Sequence, residues 1–162
     1  MKYIIVGLGN FGSSLAMKLT ASGNEVIGID SRMEKVDQYK ENISHTICMN
    51  ATDEFTVSGL PLKDTDVVIV AIGEDQGANI MATALFKNQQ VKRLISRAIN
   101  PVHETVIKAI GITEILHPEE DSAERMAKRE ARAAQMMDRR FAMLDKDGSG
   151  GVSQAEMAAA RE

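Results

Sequence analysis

The sequence predicts an α/β fold with a doubly wound parallel sheet, and three observations lead to this class. Short runs rich in Ile and Val alternate with stretches whose apolar residues recur at helical spacing. A glycine-rich turn connects the first of these runs to the first helical stretch. The chain has 162 residues, of which 44% are hydrophobic and 26% charged, as expected for one globular domain with a small appendage.

The predicted elements follow one another in regular alternation. Residues 2–7 form an apolar run that ends in glycine, as a strand buried on both faces does. Residues 13–22 follow as a crossover helix, because Leu15, Ala16 and Leu19 recur at helical spacing before Gly23. Further strands are predicted at residues 25–30, 45–49, 66–72, 93–97 and 115–116, and further helices at residues 33–39, 55–60, 75–87 and 102–109. This order predicts a parallel sheet covered on both faces, with right-handed crossovers.

The last part of the chain has a different composition. Residues 121–144 consist almost entirely of strong helix formers and contain no Gly or Pro, which predicts one long helix. Its apolar residues recur at spacings of three, four and seven, and they form a stripe that requires a partner surface. They are Met126, Ala133, Met136, Met137, Phe141 and Leu144. We therefore expect a domain at residues 1–120 and a C-terminal segment at residues 121–162.

Charge and cysteine content exclude several partners and settings. The formal net charge of -4 gives no support to binding of nucleic acid or anionic lipid. Cys48 is the only cysteine, so an internal disulfide is excluded, and the absence of a signal peptide leads us to expect the reducing cytoplasm. No apolar run approaches the ~20 residues of a bilayer span, so we expect no direct membrane insertion and a peripheral location through a partner.

The three histidines and the cysteine have structural interpretations. His45, His103 and His117 are scattered over different elements without ligand spacing, so we predict surface or capping residues rather than a metal site. Cys48 lies in a predicted strand and is expected to pack as a small apolar residue.

The glycine-rich turn matches the G-x-G-x-x-G pattern of dinucleotide-binding proteins. It occupies residues 7–12, between the first predicted strand and the first helix, where that pattern requires it. The first glycine permits a tight turn, the second lets a pyrophosphate approach the backbone, and the third lets helix and strand pack closely. The helix N-terminus then offers free N–H groups and a positive dipole end to phosphate. The turn therefore predicts a Rossmann-type fold, and its alternative interpretation is a turn that binds nothing.

A carboxylate lies where such a site contacts the ribose. Asp30 ends the second predicted strand eighteen residues after Gly12, and it can accept hydrogen bonds from both ribose hydroxyls. The same charge repels a 2'-phosphate, so NAD-like or adenosine ligands are favoured over NADP. Arg32, which follows Ser31, leaves open a contact with adenine or room for an additional phosphate.

Five motifs occur in a fixed order along the chain. They are GLGNFG at residues 7–12, Asp30, MNATDE at residues 49–54, VVIVAIGED at residues 67–75 and ILHPEEDSA at residues 115–123. With these motifs the chain resembles the RCK or KTN family, the cytoplasmic nucleotide-binding regulators of potassium channels and of Ktr/Trk-type potassium transporters. The resemblance covers residues 1 to about 128.

The resemblance implies ligands, partners and site residues. It implies NAD(H) or ATP, ADP or AMP as the ligand, and it places residues 50–52 near the adenine, residues 72–74 along the far side of the nucleotide and Arg97 near the terminal phosphates. It also implies a homodimer or larger ring of this chain, with Glu119 and Glu120 facing a neighbouring subunit, and a membrane potassium channel or transporter subunit as partner. The predicted nucleotide-binding residues are Gly7, Gly9, Asn10, Phe11, Gly12, Asp30, Ser31, Arg32, Asn50, Ala51, Thr52, Ile72, Gly73, Glu74 and Arg97.

The chain departs from the family pattern in two places. Ktr-type members often have arginine at the position of Asn10, where it reaches a terminal phosphate, so its absence weakens the specific case for ATP. Family members usually continue into a smaller C-terminal lobe, and here we expect the long helix and an EF-hand-like tail instead.

Residues 145–156 match the twelve-residue EF-hand calcium loop. Gly150 provides the sharp turn at loop position six, and only about six residues follow the loop, so this hand is expected to pair across a dimer or to bind weakly. The alternative is a polar, glycine-rich loop with chance carboxylates. The predicted Ca2+ ligands are Asp145, Asp147, Ser149, Gly151, Ser153 and Glu156.

Three functional hypotheses follow from the sequence. The leading one is a regulator that binds an adenine nucleotide, gates a potassium channel or transporter, and has no catalytic residues. The alternative is a small NAD-dependent oxidoreductase or redox sensor, for which the sequence shows neither a substrate domain nor a paired general acid and base. A third makes Ca2+ the main input and the Rossmann-type part a platform for oligomerisation.

Overall fold

The computed structural model describes residues 1–118 and 121–144. The strands are β1 (Lys2–Val6), β2 (Glu25–Asp30), β3 (His45–Cys48), β4 (Val67–Val70), β5 (Leu94–Arg97) and β6 (Glu114–Leu116). The helices are α1 (Asn10–Ala21), α2 (Met33–Tyr39), α3 (Glu54–Ser58), α4 (Gln76–Asn88), α5 (Pro101–Ile110) and α6 (Ala123–Leu144), with a 3-10 turn at Leu62–Asp64. Residues 119–120 and the whole EF-hand-like loop lie outside the described residues.

The six strands form one parallel sheet in the order β3-β2-β1-β4-β5-β6. The predicted α/β fold with a doubly wound parallel sheet is confirmed, because helices pack on both of its faces. The order reverses direction between β1 and β4, where chain crossovers run to opposite sides. Val6 pairs with Ile29 of β2 and with Val70 of β4, so these three strands end at the same level.

Alternation along β1 divides the core between the two faces. Tyr3 and Ile5 belong to a cluster that includes Leu15 of α1 and Met126 of α6. Ile4 and Val6 belong to the opposite cluster, together with residues of α3 and α4 such as Val57 and Phe86. Successive side chains of a strand point to opposite faces, so a continuous apolar run serves both cores.

The long C-terminal helix predicted at residues 121–144 is confirmed as α6. Ala123 and Met126 in its first turn are buried in the core of a compact unit that spans Met1–Ala127. Further along, Met136 is 70% exposed and Met137 65% exposed. Over residues 1–118 and 121–144, none of the helices has the length and apolar character that crossing a bilayer requires.

One structural expectation from the sequence is wrong, and a second is narrowed. Cys48 is exposed, because it is the last residue of the edge strand β3, and its thiol donates to the Ser31 carbonyl at 3.5 Å. His103 is only 1% exposed. It lies in the first turn of α5, where its Nδ1 accepts the backbone N–H of Ile99 at 3.2 Å, so of the two predicted roles, surface or capping, its position fits capping at the helix N-terminus.

Candidate functional site

A cleft of about 260 Å3 opens at the carboxyl ends of β1, β2 and β4. This is the point where the strand order reverses, which is where ligands bind in doubly wound sheets. Nine of the residues predicted from the sequence line it: Gly7, Asp30, Ser31, Arg32, Asn50, Ala51, Thr52, Ile72 and Glu74. Five lining residues were not predicted: Val6, Ile29, Met49, Asp75 and Ala78.

The glycines of the turn meet three different steric demands. Gly7 has a φ of +101°, which residues with a side chain rarely adopt. Its N–H donates a hydrogen bond to the carbonyl oxygen of Ile29 at 2.8 Å. A Cβ on Gly12 would lie 1.9 Å from the Gly7 carbonyl oxygen, so only glycine lets α1 pack so close to β1. A Cβ on Gly9, in contrast, meets no atom of the described chain within 4 Å beyond its own neighbours. The turn thus leaves open space at its second glycine.

The N-terminus of α1 begins beside this open space. Gly9 is the N-cap, and the first helical hydrogen bond runs from Ser13 N–H to the Gly9 carbonyl at 2.9 Å. The N–H groups before Ser13 therefore precede the hydrogen-bond ladder of the helix. Asn10 is exposed, whereas the ring of Phe11 packs against the core under α1 rather than into the cleft.

Asp30 is held at the bottom of the cleft by four hydrogen bonds. Its Oδ1 accepts the backbone N–H of Arg32 at 2.9 Å and Arg32 Nε at 3.0 Å. Its Oδ2 accepts the N–H of Leu8 at 2.9 Å and Arg32 Nη2 at 3.2 Å. Burial by itself raises the pKa of Asp30, but the hydrogen bonds from Arg32 and Leu8 outweigh it and hold that pKa below its usual value.

The opposite wall of the cleft comes from the loops after β3 and β4. Asn50 Oδ1 accepts the backbone N–H of Thr52 at 2.9 Å and its hydroxyl at 2.6 Å, which fixes that turn. Asp75 caps α4 by accepting the N–H of Ala78 at 3.0 Å. An aspartate between a strand and a helix is a recognisable cap signal, so Asp75 was detectable in the sequence.

Gly73 and Arg97 do not line the main cleft. The guanidinium of Arg97 packs on Gly73, where a Cβ would come within 2.5 Å of it. Its Nη1 lies 3.5 Å from the Ala71 carbonyl oxygen, and its Nε is buried with no hydrogen-bond partner among the described residues. Arg97 lines instead a second cleft of about 190 Å3 with Glu104 and His117, whose side chains hydrogen-bond to each other. This bond from His117 holds the pKa of Glu104 below its usual value.

Within the described residues there is no group of three or more His, Cys, Asp or Glu side chains that could hold a metal ion. The predicted Ca2+ ligands at residues 145–156 and the predicted subunit contacts Glu119 and Glu120 are outside those residues.

Comparison with known sequences identifies relatives among potassium uptake proteins. The model of the TrkA-N domain matches residues 3–118. The Ktr system potassium uptake protein C of Bacillus subtilis is 39% identical over 126 residues, which are 78% of this chain and 57% of that protein. The Ktr system potassium uptake protein A of Vibrio alginolyticus is 34% identical over 149 residues, 92% of this chain and 65% of that protein. The chain thus spans less than two thirds of these curated relatives.

Solved structures show the same fold at low sequence identity. The NAD(P)-binding domain of an exopolyphosphatase-related protein from Archaeoglobus fulgidus has a TM-score of 0.66 at 20% identity, over 84% of this chain and 97% of that one. The GsuK channel bound to NAD has a TM-score of 0.62 at 15% identity, over 71% of this chain and 21% of that one. The Shewanella denitrificans Kef C-terminal domain in its AMP-bound form has a TM-score of 0.61 at 18% identity, over 85% of this chain and 93% of that one.

Proposed function

The chain belongs to the TrkA-N domain family, and on that premise we propose that its cleft binds an adenine nucleotide or dinucleotide, NAD(H) or ATP, ADP or AMP, as a regulatory ligand. The observation that carries the proposal is the open space at Gly9, beside the N-terminus of α1. Backbone N–H groups and the helix dipole attract phosphate at such a position. A phosphate pair bound there needs no basic side chain.

The rest of the cleft suits the nucleoside part of such a ligand. Asp30 offers carboxylate oxygens to the ribose hydroxyls, and the turn at residues 50–52 provides the wall for the adenine. A volume of about 260 Å3 lies near the lower end for ligand sites, so the cleft is expected to hold adenosine while the phosphates extend toward Gly9. Proteins of the same fold are named for bound NAD and AMP, which supports this ligand class.

Calorimetry with the full chain tests the ligand. We expect binding of at least one of NAD, NADH, ATP, ADP and AMP, and a loss of at least about tenfold in affinity for Gly9→Ala, because its methyl group occupies the space of the phosphate. Gly59→Ala is the matched control, since a Cβ on Gly59 meets only ordinary contacts of 3.5 Å and more. Absence of binding by all five nucleotides would reject the proposal.

We propose further that the chain regulates potassium transport and does not catalyse a reaction. Its relatives are potassium uptake proteins, which supports a cytoplasmic location at the membrane through a potassium channel or transporter subunit. A nucleotide can act there only if it binds two packings of the assembly with different affinity. Expressed with the membrane subunit of a Ktr-type transporter in bacteria lacking potassium uptake, the chain is expected to restore growth at low potassium. If the Gly9→Ala variant restores growth as well as the wild-type chain does, regulation by a ligand in the cleft is contradicted.

We propose a homodimer or a larger ring as the functional assembly. The exposed Met136 and Met137 of α6 support self-association, because contiguous exposed apolar side chains favour an interface. Sedimentation of the purified chain tests this, with Met136→Lys and Met137→Lys combined as the variant and Lys128→Glu on the same helix as the charge-changing control. A monomeric wild-type chain would contradict the proposal.

The C-terminal loop supports a separate proposal of Ca2+ binding, which rests on its sequence pattern alone. Calcium is expected to raise the melting temperature of the full chain, and Glu156→Gln is expected to abolish that increase because it removes the bidentate ligand. Glu162→Gln serves as control for loss of one carboxylate outside the loop. An unchanged calcium response in Glu156→Gln would refute the assignment.

A further inference from the structure

The carboxylate of Asp30 has its hydrogen-bonding capacity filled by the protein itself. An ionised carboxylate has about four acceptor sites, two on each oxygen. In Asp30, the backbone N–H groups of Arg32 and Leu8 take one site on each oxygen. Nε and Nη2 of the Arg32 side chain take the other two. A ribose diol that approaches Asp30 therefore finds both oxygens saturated.

These four bonds differ in how easily they can be released. The Leu8 N–H belongs to the glycine-rich turn and the Arg32 N–H to the main chain after β2, so both are fixed by the fold. The Arg32 side chain is 38% exposed, and rotation about its several single bonds can carry the guanidinium into solvent. Its departure frees one acceptor site on each oxygen of Asp30, which is the number that two ribose hydroxyls require.

The Arg32 guanidinium also has a second anionic partner across the cleft. Its Nη2 lies 3.5 Å from Oε1 of Glu74, which follows β4 on the other side of the switch point. Glu74 is largely exposed, so Arg32 can turn toward it and toward solvent without leaving a buried charge.

We propose that Arg32 is a specificity-determining residue that competes with the ribose hydroxyls for Asp30, so that a nucleotide with a complete ribose diol reaches Asp30 only by displacing its side chain. The inference rests on the nucleotide site proposed above. It predicts that Arg32 weakens the binding of ligands with a complete ribose diol and has no such effect on ligands that lack the diol.

Calorimetry with AMP and with 2',3'-dideoxy-AMP tests the competition. Arg32→Ala is expected to bind AMP about fivefold tighter than the wild type, the modest gain that fits a charged hydrogen-bonded pair partly exposed to solvent. Its affinity for dideoxy-AMP is expected to be unchanged or lower. Lys35→Ala is the matched control, because it removes one positive charge from the first turn of α2, while the four hydrogen bonds to Asp30 described above come from Leu8 and Arg32. Arg32→Gln, which keeps a shorter polar side chain, is expected to change AMP binding in the same direction.

Each contrary result has a separate meaning. Weaker or equal AMP binding by Arg32→Ala, in a variant whose circular dichroism matches the wild type, would overturn the competition and leave the nucleotide site standing. The same gain for dideoxy-AMP, or for Lys35→Ala, would also overturn it, since a general change in charge then explains the effect. If neither the wild type nor the variants bind any of NAD, NADH, ATP, ADP and AMP, the proposed nucleotide site fails together with this inference.

Discussion

Replacement of Gly12 by alanine is expected to destabilise the fold through a contact with backbone. The added Cβ would lie 1.9 Å from the carbonyl oxygen of Gly7, 3.0 Å from its carbon and 3.3 Å from the Cβ of Ala71. The Gly7 backbone cannot yield easily, because its N–H is bonded to Ile29 in the centre of the sheet. Relief therefore requires α1 to withdraw from β1 by about 1 Å, a packing change of the kind that costs several kcal/mol when it disturbs a dense core.

The size of this effect follows from what α1 buries. Leu15, Ala16 and Leu19 on its inner face are fully buried against the sheet. Overpacking costs about 1–3 kcal/mol, and the loosened contacts of these side chains add to it, so we expect a loss of about 3 kcal/mol. Helix propensity alone predicts the opposite sign, because alanine in a helix is more favourable than glycine by about 1 kcal/mol. The sign of the change therefore separates the two arguments.

Urea unfolding followed by circular dichroism measures the loss. With a slope of about 2 kcal/mol per molar, the midpoint of Gly12→Ala is expected to fall by about 1.5 M. Gly9→Ala is the matched control, since its Cβ enters open space and costs at most about 1 kcal/mol as a poorer N-cap. A Gly12→Ala midpoint equal to or above that of Gly9→Ala would refute the steric reasoning.

Three further predictions concern charged and titratable groups. Burial lowers the pKa of His103 below its ordinary 6.5, so the unfolded chain binds a proton that the folded chain does not, and the urea midpoint is expected to fall as pH drops from 7.5 to 5.5. His103→Gln is expected to flatten that dependence, and an identical slope in the variant would argue against it. Asp30 has a lowered pKa, so its stabilisation is complete above its ordinary 3.8 and is lost as pH falls through its folded value. Asp30→Asn is expected to cost about 1–3 kcal/mol at pH 7 and progressively less as the pH falls below 3.8, whereas a pH-independent cost would contradict the assignment. Glu114→Gln disrupts the paired hydrogen bonds from Arg93 and is expected to lower the free energy of unfolding by at most about 1 kcal/mol. Because this ion pair is electrostatic, the difference between variant and wild type is expected to disappear in 1 M salt.

Most of the sheet could be predicted because buried parallel strands have a strong local pattern. After the exposed Lys2 at its start, β1 is buried throughout, and so is the run VVIV of β4, so neither alternates with polar residues as a surface strand does. Helix α1 begins at Asn10, three residues before the start that the sequence predicts at Ser13. Two glycines in the turn disfavour helix locally, and the close packing against β1 outweighs that preference only in the folded protein.

Among the predicted site residues, some positions follow from the sequence, whereas the direction of other side chains does not. The positions of Asp30 and of residues 50–52 follow from the ends of strands, and these residues line one cleft. Phe11 lies within the recognised motif but points to the core, and Arg97 belongs to a different cleft. Spacing along the chain places a residue on an element, whereas the twist of the sheet and the neighbouring helices decide which way its side chain turns.

The alternation of strands and helices, the sharp turn at Gly7 and the acidic residue that ends β2 can all be predicted from local patterns, because each depends on backbone geometry and hydrophobic period. The folded protein is needed to show that Arg32 occupies both oxygens of Asp30, that His103 is buried and that Cys48 is exposed. These outcomes depend on atoms brought together from distant elements, and on which strand lies at the edge of the sheet, and no local pattern specifies either.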